Sequence, residues 1–193
     1  MTKIAIIVGS TRPGRFGIQP AQWLFEQTKS RKDAEYELVD LKEFNLPLLD
    51  EPKSALSGEY SQEHTKRWSA KIAPFDGFVF VTPEYNQSTS AALKNAIDFL
   101  YHEWVDKPVA YIGYGAAGGG ARAISHLRGI AAQTRMFDIL DSIMIHNYYL
   151  NLDENGKYKF DDKQAEQADA MLTELVFWAE QMKKARELKN VGK

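Results

Sequence analysis

Three short stretches of this chain carry residue types that bind anions and flat heterocycles. The first reads GSTRPGRFG and runs from Gly9 to Gly17. Successive N–H groups in such a loop form a concave anion site, which the positive end of a following helix strengthens. Ser10 adds a hydroxyl donor, and Arg12 and Arg15 add guanidinium donors that match phosphate oxygens. The stretch therefore predicts a phosphate-binding loop.

This first loop departs from the two best-known nucleotide-binding motifs. It has no closing Gly-Lys-Ser/Thr, as a Walker A loop does, and Ser10 and Thr11 after Gly9 break the pattern G-x-G-x-x-G. ATP hydrolysis and the usual dinucleotide fingerprint are therefore disfavoured. The alternative to an anion site is a flexible turn whose arginines face water.

The second stretch, TPEYNQS at 82–88, combines a proline with aromatic and amide side chains. Pro83 fixes its own φ and biases Thr82 towards extended backbone, which directs the following residues outwards. Tyr85 offers an aromatic face with a polar tip, and Asn86 can hydrogen-bond the edge of a heterocycle. A turn capped by Asn86, with Tyr85 packed on a neighbour, explains the stretch equally well.

The third stretch, GYGAAGGG at 113–120, consists almost entirely of small residues. Small residues let a flat ligand approach the backbone closely, although a glycine-rich helix start that needs unusual φ angles is an alternative explanation. No other catalytic pattern accompanies the three stretches. The four histidines have no metal-binding spacing, so we assign no metal site, and G-x-S-x-G is absent.

The elements that must position these stretches alternate five times between strand and helix. KIAIIVG is a continuous apolar run that is typical of a strand buried on both faces, and four similar runs follow it. Strands joined through helices run parallel, so residues 1–193 are predicted to form one doubly wound, five-stranded α/β domain with helices on both faces. The strand order 2-1-3-4-5, one of the two common solutions for such a sheet, is the order we expect. The three stretches follow the first, third and fourth strands, at the edge where such sheets bind ligands.

Two connections carry narrower expectations. The segment 42–60 is expected to be an ordered surface loop with Leu46, Leu48 and Leu49 turned inwards, followed by a helix over 59–73. The aromatic stretch at 98–105 is rich in large apolar residues, which suits either a subunit interface or internal packing.

Composition bounds the partners and the compartment. With 24 Lys and Arg against 26 Asp and Glu, the formal net charge is −2, which argues against non-specific nucleic-acid binding. No apolar run approaches the ~20 residues of a membrane span, and the N-terminal run is too short for a signal peptide. The absence of cysteine excludes disulfides and thiolate chemistry. We expect a cytoplasmic protein without nucleic-acid or membrane partners.

Together, GSTRPGR at 9–15, TPEYNQSTSAALKNAIDFL at 82–100 and KPVAYIGYGAAGGGARA at 107–123 resemble the NADPH-dependent FMN reductases of the flavodoxin-like superfamily. The group includes quinone, azo-dye and chromate reductases, and the resemblance covers nearly the whole chain. It implies FMN as cofactor and NADPH or NADH as co-substrate. It also implies ping-pong hydride transfer to FMN and onward to a small-molecule acceptor, in a homodimer or a higher homo-oligomer.

The resemblance also implies which residues hold the FMN phosphate. Ser10 and Arg12 match phosphate residues of the family. Many members have a serine and an asparagine where this chain has Arg15 and Gly17. Contacts there would come from Arg15 or from the amides of three residues: Gly17, Ile18 and Gln19.

The other two stretches match the parts of the family that surround the isoalloxazine ring. The second would run along the ring through Pro83, Glu84, Tyr85 and Asn86, and the third would lie near the pyrimidine end through Gly115, Gly118 and Gly119. Tyr85 is the one catalytic candidate, because the cofactor supplies most of the chemistry. Many members also have Pro-Gly where this chain has Ser90-Ala91, a change in the pocket wall that bears on substrate choice.

Two other functions fit a chain of this kind. A flavodoxin-type electron carrier has the same fold but no substrate of its own. The near-neutral charge and the PEYN stretch favour an enzyme over such a carrier. A flavin-free regulatory domain is the third option, because fold does not fix function.

Overall fold

A parallel sheet of five strands forms the centre of the molecule. The computed structural model describes residues 1–191 and gives the sheet the order β2–β1–β3–β4–β5, with every neighbouring pair parallel. The predicted topology is therefore confirmed. The strands are β1 (Thr2–Val8), β2 (Ala34–Asp40), β3 (Gly77–Pro83), β4 (Pro108–Tyr114) and β5 (Phe137–Ile145).

Helices cover both faces of the sheet and create two apolar layers. The helices are α1 (Ile18–Thr28), α2 (Glu63–Ile72), α3 (Ala91–Asp98), α4 (Ala121–Gln133) and α5 (Asp162–Val191). One layer packs α1 and α5 on the sheet through residues such as Leu24 and Leu172, and the other packs α2, α3 and α4 through Trp68 and Ile97. Every residue of β3 and β4 is buried, as expected of central parallel strands.

The expectation that three leucines of segment 42–60 turn inwards is wrong for two of them. Leu46 packs on the core, but the side chain of Leu48 is 84% exposed and that of Leu49 is 50% exposed. The reason is the hydrogen bonding of Asn95 on α3, whose amide donates to Pro47 O at 2.7 Å and accepts from Leu49 N at 3.0 Å. These bonds attach the backbone to α3 and leave both side chains outside.

Helix α2 also begins later than the pattern predicts. It starts at Glu63 rather than at Glu59. The Glu51 carboxylate accepts hydrogen bonds from Ser61 N and Gln62 N, both at 2.9 Å, and so satisfies these amides outside the helix. Burial acts to raise the pKa of Glu51, but the nearby Thr65 hydroxyl and the hydrogen bonds from Ser61 and Gln62 outweigh this effect and lower the pKa to about 2.

The aromatic stretch at 98–105 serves internal packing. Phe99, Leu100 and Trp104 are all buried in the layer under α2, α3 and α4. Trp104 Nε1 donates to Ile97 O at 3.1 Å, so even its polar atom is used inside the subunit. Of the two explanations for this stretch, packing within the chain is therefore correct. Within residues 1–191, no helix has the length and hydropathy that a membrane crossing needs.

Candidate functional site

The three stretches meet at the carboxyl edge of the sheet, as predicted. We call them the first loop (9–17), the second loop (84–89) and the third loop (115–120). Each is fixed at its start by a backbone hydrogen bond that continues the strand ladder. Gly9 N donates to Val81 O at 2.8 Å, Glu84 N donates to Tyr114 O at 2.8 Å, and Gly115 N donates to Ile145 O at 3.2 Å.

The first loop is a tight turn over a buried serine. Ser10 is almost fully buried, and its Oγ lies 3.4 Å from Arg12 N. Arg15 N donates to Arg12 O at 3.2 Å, and Gly14 between them has a φ of 65°, which suits glycine. The Arg12 side chain is exposed and forms no salt bridge with any residue of the range 1–191. Arg12 is thus the available guanidinium of this loop.

Arg15 is held differently from Arg12. Its guanidinium forms an ion pair with Asp40 at the end of β2, and only 10% of the side chain is exposed. Asp40 also accepts from Lys42 N at 3.0 Å, which fixes the carboxylate. This ion pair uses Nη2 of the guanidinium, and the buried Nε has no partner among residues 1–191, so a phosphate-binding role for Arg15 stays a prediction.

The beginning of α1 supplies the remaining donors of the first loop. Gly17 and Ile18 open this helix, where the first N–H groups have no partner within the helix. The amide of Gln19 donates to Phe16 O at 2.8 Å, and its side chain bonds Gly156 O and Tyr158 N, both at 2.8 Å. Gln19 therefore joins the first loop to the segment after β5, while Gly17 and Ile18 offer amides for a ligand.

The second loop is a two-residue hairpin. Tyr85 N donates to Ser88 O at 2.9 Å and Ser88 N donates to Tyr85 O at 3.0 Å, while Asn86 and Gln87 have φ values of 49° and 67°. Positive φ at both central residues is the type I′ geometry. Tyr85 is 36% exposed, and its hydroxyl lies 3.3 Å from Ser10 Oγ. The turn expected at Asn86 is present, and it turns Tyr85 back towards the first loop.

Glu84 connects the second loop to the third. Its carboxylate is 7% exposed and pairs with Arg122 at the start of α4, where Arg122 Nε donates at 2.6 Å and Arg122 N donates at 3.2 Å. A Cβ on Gly118 would lie 2.8 Å from the Arg122 guanidinium, so glycine makes room for this pair. The Glu84 side chain is directed at α4, and its predicted contact with a cofactor ring is untested.

The third loop is folded tightly against the segment that follows β5. Gly119 and Gly120 have φ values of 58° and 91°, and a Cβ on Gly119 would lie 2.6 Å from the His146 ring. His146 Nδ1 lies 2.8 Å from Ala117 O, and Asn147 N donates to Ala116 O at 3.0 Å. These contacts, together with Gly115 at the loop's start, define its shape. The sequence does not predict the contact of His146 with this loop, because His146 belongs to no motif. The one indication in the sequence is its position directly after the fifth strand.

Ser90, expected from the sequence only as part of the pocket wall, also supports the first loop. Its Oγ donates to Gly9 O and accepts from Leu93 N at 3.1 Å, so it caps α3 and holds the base of the first loop at once. A serine three residues before Leu93, at the start of a helical pattern, is the N-cap signal that identifies it.

Three hydroxyl groups converge beneath the first loop. They belong to Ser10, Tyr85 and Tyr114. Burial raises the pKa of Tyr114 above its ordinary value, and the neighbouring Tyr85 adds to the increase. Ser10 and the Gly17 N–H lie near enough to act against it but outside hydrogen-bond geometry. Tyr114 is therefore a neutral hydroxyl, and in residues 1–191 this hydroxyl has no hydrogen-bond partner.

Comparison with known proteins identifies the family of this chain. A sequence model described as NADPH-dependent FMN reductase matches residues 2–149. An NAD(P)H-dependent FMN reductase of Schizosaccharomyces pombe is 47% identical over 131 residues, which is 66% of either chain, so the match spans just under two thirds of that relative. A 2-hydroxy-1,4-benzoquinone reductase of a Burkholderia species is 37% identical over 136 residues, 67% of this chain and 70% of its own.

A solved structure supports the same fold. The flavoenzyme NAD(P)H:(acceptor) oxidoreductase FerB of Paracoccus denitrificans superposes with a TM-score of 0.72 at 24% identity, covering 94% of this chain and 99% of its own. Since the family model spans most of the sequence and includes all three loops, this chain belongs to the family of NADPH-dependent FMN reductases.

Proposed function

We propose that this protein is an FMN-dependent NAD(P)H oxidoreductase that reduces a quinone or a similar small molecule, such as a flavin or an azo dye. The observation that carries the proposal is the meeting of the three loops at the carboxyl edge of β1, β3 and β4, with hydroxyl and amide donors directed into one place. Membership of the reductase family supports the same activity.

The donors of the first loop fit the phosphate of FMN. Ser10 supplies a hydroxyl, Arg12 an exposed guanidinium, and Gly17 and Ile18 the amides at the start of α1. The buried hydroxyl of Tyr114 beside them has no partner among residues 1–191, which is unusual in a folded protein. A group rich in acceptor oxygens complements all of these donors.

The second and third loops suit the flat part of FMN. Pro83 and the hairpin from Glu84 to Asn86 would form one side of the ring site, and Gly115, Gly118 and Gly119 would let the ring approach the backbone. When bound, FMN supplies hydride acceptance from NAD(P)H and electron donation to the second substrate. The chain's task is to orient the ring and to leave one face open. Tyr85, partly exposed at this edge, is the side chain we propose beside that face.

Purified protein mixed with NADPH without oxygen tests the proposal. We expect the absorbance of bound FMN near ~450 nm to bleach and to return when a benzoquinone is added, since flavin serves as the redox cofactor. A flavin that binds but does not bleach would favour an electron carrier, and a protein with no affinity for FMN would favour a flavin-free domain. A panel of quinones, free flavins and azo dyes at equal concentration then ranks the acceptors.

We also propose that the protein is a homodimer in the cytoplasm. Support for a dimer comes from the exposed leucines at 48, 49 and 56, and from a groove of about 690 Å³ between the start of α3 and α4. Burial of such apolar surface is a usual source of subunit association. Light scattering on a size-exclusion column measures the mass, and fractionation of cells measures the location. A mass of one chain, 21.9 kDa, would contradict the dimer.

A further inference from the structure

Tyr114 is the last residue of β4 and directs its hydroxyl to the underside of the first loop. Its ring packs edge-on against Phe16, with 5.2 Å between centroids, and edge-on against Tyr148, with 5.6 Å. The hydroxyl beyond these rings lies against Gly17. A Cβ on Gly17 would lie 2.6 Å from the Tyr114 oxygen, so the glycine at the start of α1 admits the hydroxyl.

The Tyr114 hydroxyl is buried without being used by the protein itself. Only 3% of the residue is exposed, and the oxygen has no hydrogen-bond partner within residues 1–191. A buried hydroxyl without a partner loses its bonds to water and gains nothing in return. Such a group fits a site in which the missing partner is a ligand.

Tyr111 on the same strand shows that an unpartnered hydroxyl alone does not mark a site. Its hydroxyl is also buried without a partner in the described residues, but it lies in the opposite apolar layer, beside Arg128 and Asp138. Around Tyr114 there are instead Ser10, Gly17 and Tyr85, all belonging to the first and second loops. This convergence of donors distinguishes Tyr114 and makes Tyr111 a matched control.

We propose that Tyr114 is a phosphate-binding residue of the FMN site, whose hydroxyl donates a hydrogen bond to a phosphate oxygen from beneath the first loop. The inference rests on the proposed function and adds a residue to it. The other donors, Ser10, Arg12 and the first amides of α1, approach from the loop itself. Tyr114 would provide the donor from the side of the core.

This role predicts opposite effects on ligand binding and on the stability of the ligand-free protein. Tyr114→Phe keeps the ring packed on Phe16 and Tyr148 but removes the hydroxyl. Loss of a hydrogen bond to a charged group should raise the dissociation constant of FMN about 10- to 100-fold. Removal of an unpartnered polar atom should leave the melting temperature of the ligand-free protein equal to or above that of the wild type.

Riboflavin, which lacks the phosphate, separates a phosphate contact from a general effect on the pocket. We would titrate ligand-free wild type, Tyr114→Phe and Tyr111→Phe with FMN and with riboflavin, and follow flavin fluorescence. The expected result is weaker FMN binding by Tyr114→Phe alone, with riboflavin binding unchanged within about threefold. Gly17→Ala, which forces the Tyr114 hydroxyl to move, should weaken FMN more than riboflavin as well.

Each other result has a definite meaning. Unchanged FMN binding by Tyr114→Phe overturns the assignment, and so does equal weakening of FMN and riboflavin. A lower melting temperature of the ligand-free variant would mean that the hydroxyl already has a structural partner, which also overturns it. If Tyr114→Phe does not fold, the FMN-to-riboflavin ratio of Gly17→Ala decides. A wild type that binds neither flavin would overturn the proposed function itself.

Discussion

The two arginines of the first loop should respond in opposite ways to replacement by alanine. Arg12 is exposed and in no ion pair with residues 1–191, so Arg12→Ala should leave the ligand-free protein as stable as the wild type. Arg15 is paired with Asp40, and both side chains are mostly buried, at 10% and 15% exposed. Arg15→Ala should therefore destabilise the protein.

The contacts of each arginine determine how large a change in FMN affinity or in stability we expect. Removal of the Arg12 guanidinium should weaken FMN by about 1–3 kcal/mol, because it removes a charge-assisted hydrogen bond to the phosphate, and should change stability by less than about 0.5 kcal/mol. Arg15→Ala leaves Asp40 without its cation in a mostly buried position. We expect it to lower the free energy of unfolding by about 1–3 kcal/mol, less than for a fully buried pair.

Urea unfolding of the ligand-free proteins and FMN titration measure the two quantities separately. Asp40→Asn is the matched control, because it removes the charge of the pair while its side chain still accepts from Lys42 N. This variant should be destabilised, yet it should bind FMN as the wild type does. The reasoning is refuted if Arg12→Ala binds FMN normally. It is also refuted if Arg15→Ala weakens FMN more than Arg12→Ala without any loss of stability.

Further substitutions test the supports of the loops and the pH dependence of stability. Ser90→Ala should cost about 1–3 kcal/mol in urea unfolding, because it removes the cap of α3 and the donor to Gly9 O; Ser90→Thr should recover most of the loss if the hydroxyl is the cause. Gly120→Ala should prevent folding or lower the melting temperature by many degrees, since its Cβ would lie 2.5 Å from the Gly113 backbone at a φ of 91°. Gly129 in α4 has open space around it, so Gly129→Ala is the control and should stabilise the protein by about 0.5–1 kcal/mol. Burial lowers the pKa of Lys107 to about 8, and the nearby Arg186 adds to the decrease. Between pH 8 and the ordinary pKa of lysine, the unfolded chain therefore binds more protons than the folded protein, and stability should rise with pH. Lys107→Met should lose this rise, and a variant with the same pH slope as the wild type would contradict the prediction.

The sheet order and the meeting of the loops could be predicted because they depend on local patterns. Apolar runs, helical spacing and the rule that helix-linked strands run parallel were enough to place the three loops at one edge. The contacts within that edge depend on pairs far apart in the chain. Asn95 fixes Pro47 and Leu49 by hydrogen bonds, which turned two leucines outwards, and no periodicity in 42–60 signals this.

The same limit applies to the site residues. Arg12 and Arg15 look alike in sequence, and only the distance to Asp40, 25 positions later, distinguishes them. Tyr114 reads as one more strand residue until the neighbouring rings of Phe16 and Tyr148 fix where its hydroxyl lies. Residue type predicted what the loops contain, whereas packing decides which donors remain for a ligand.

The distribution of satisfied and unsatisfied donors therefore carries the functional argument. Glu84, Gln19 and Ser90 have partners in the protein and build the loops. Arg15 pairs with Asp40, although its buried Nε has no partner among residues 1–191. Arg12, the first amides of α1 and the hydroxyl of Tyr114 have none among residues 1–191, and they border the same loop. A fold selected only for stability would pair or replace the Tyr114 hydroxyl, since a buried unpaired donor costs free energy. Their collection at the end of β1 and β4 is the physical reason to expect an anion there, and FMN is the anion that we propose for this edge.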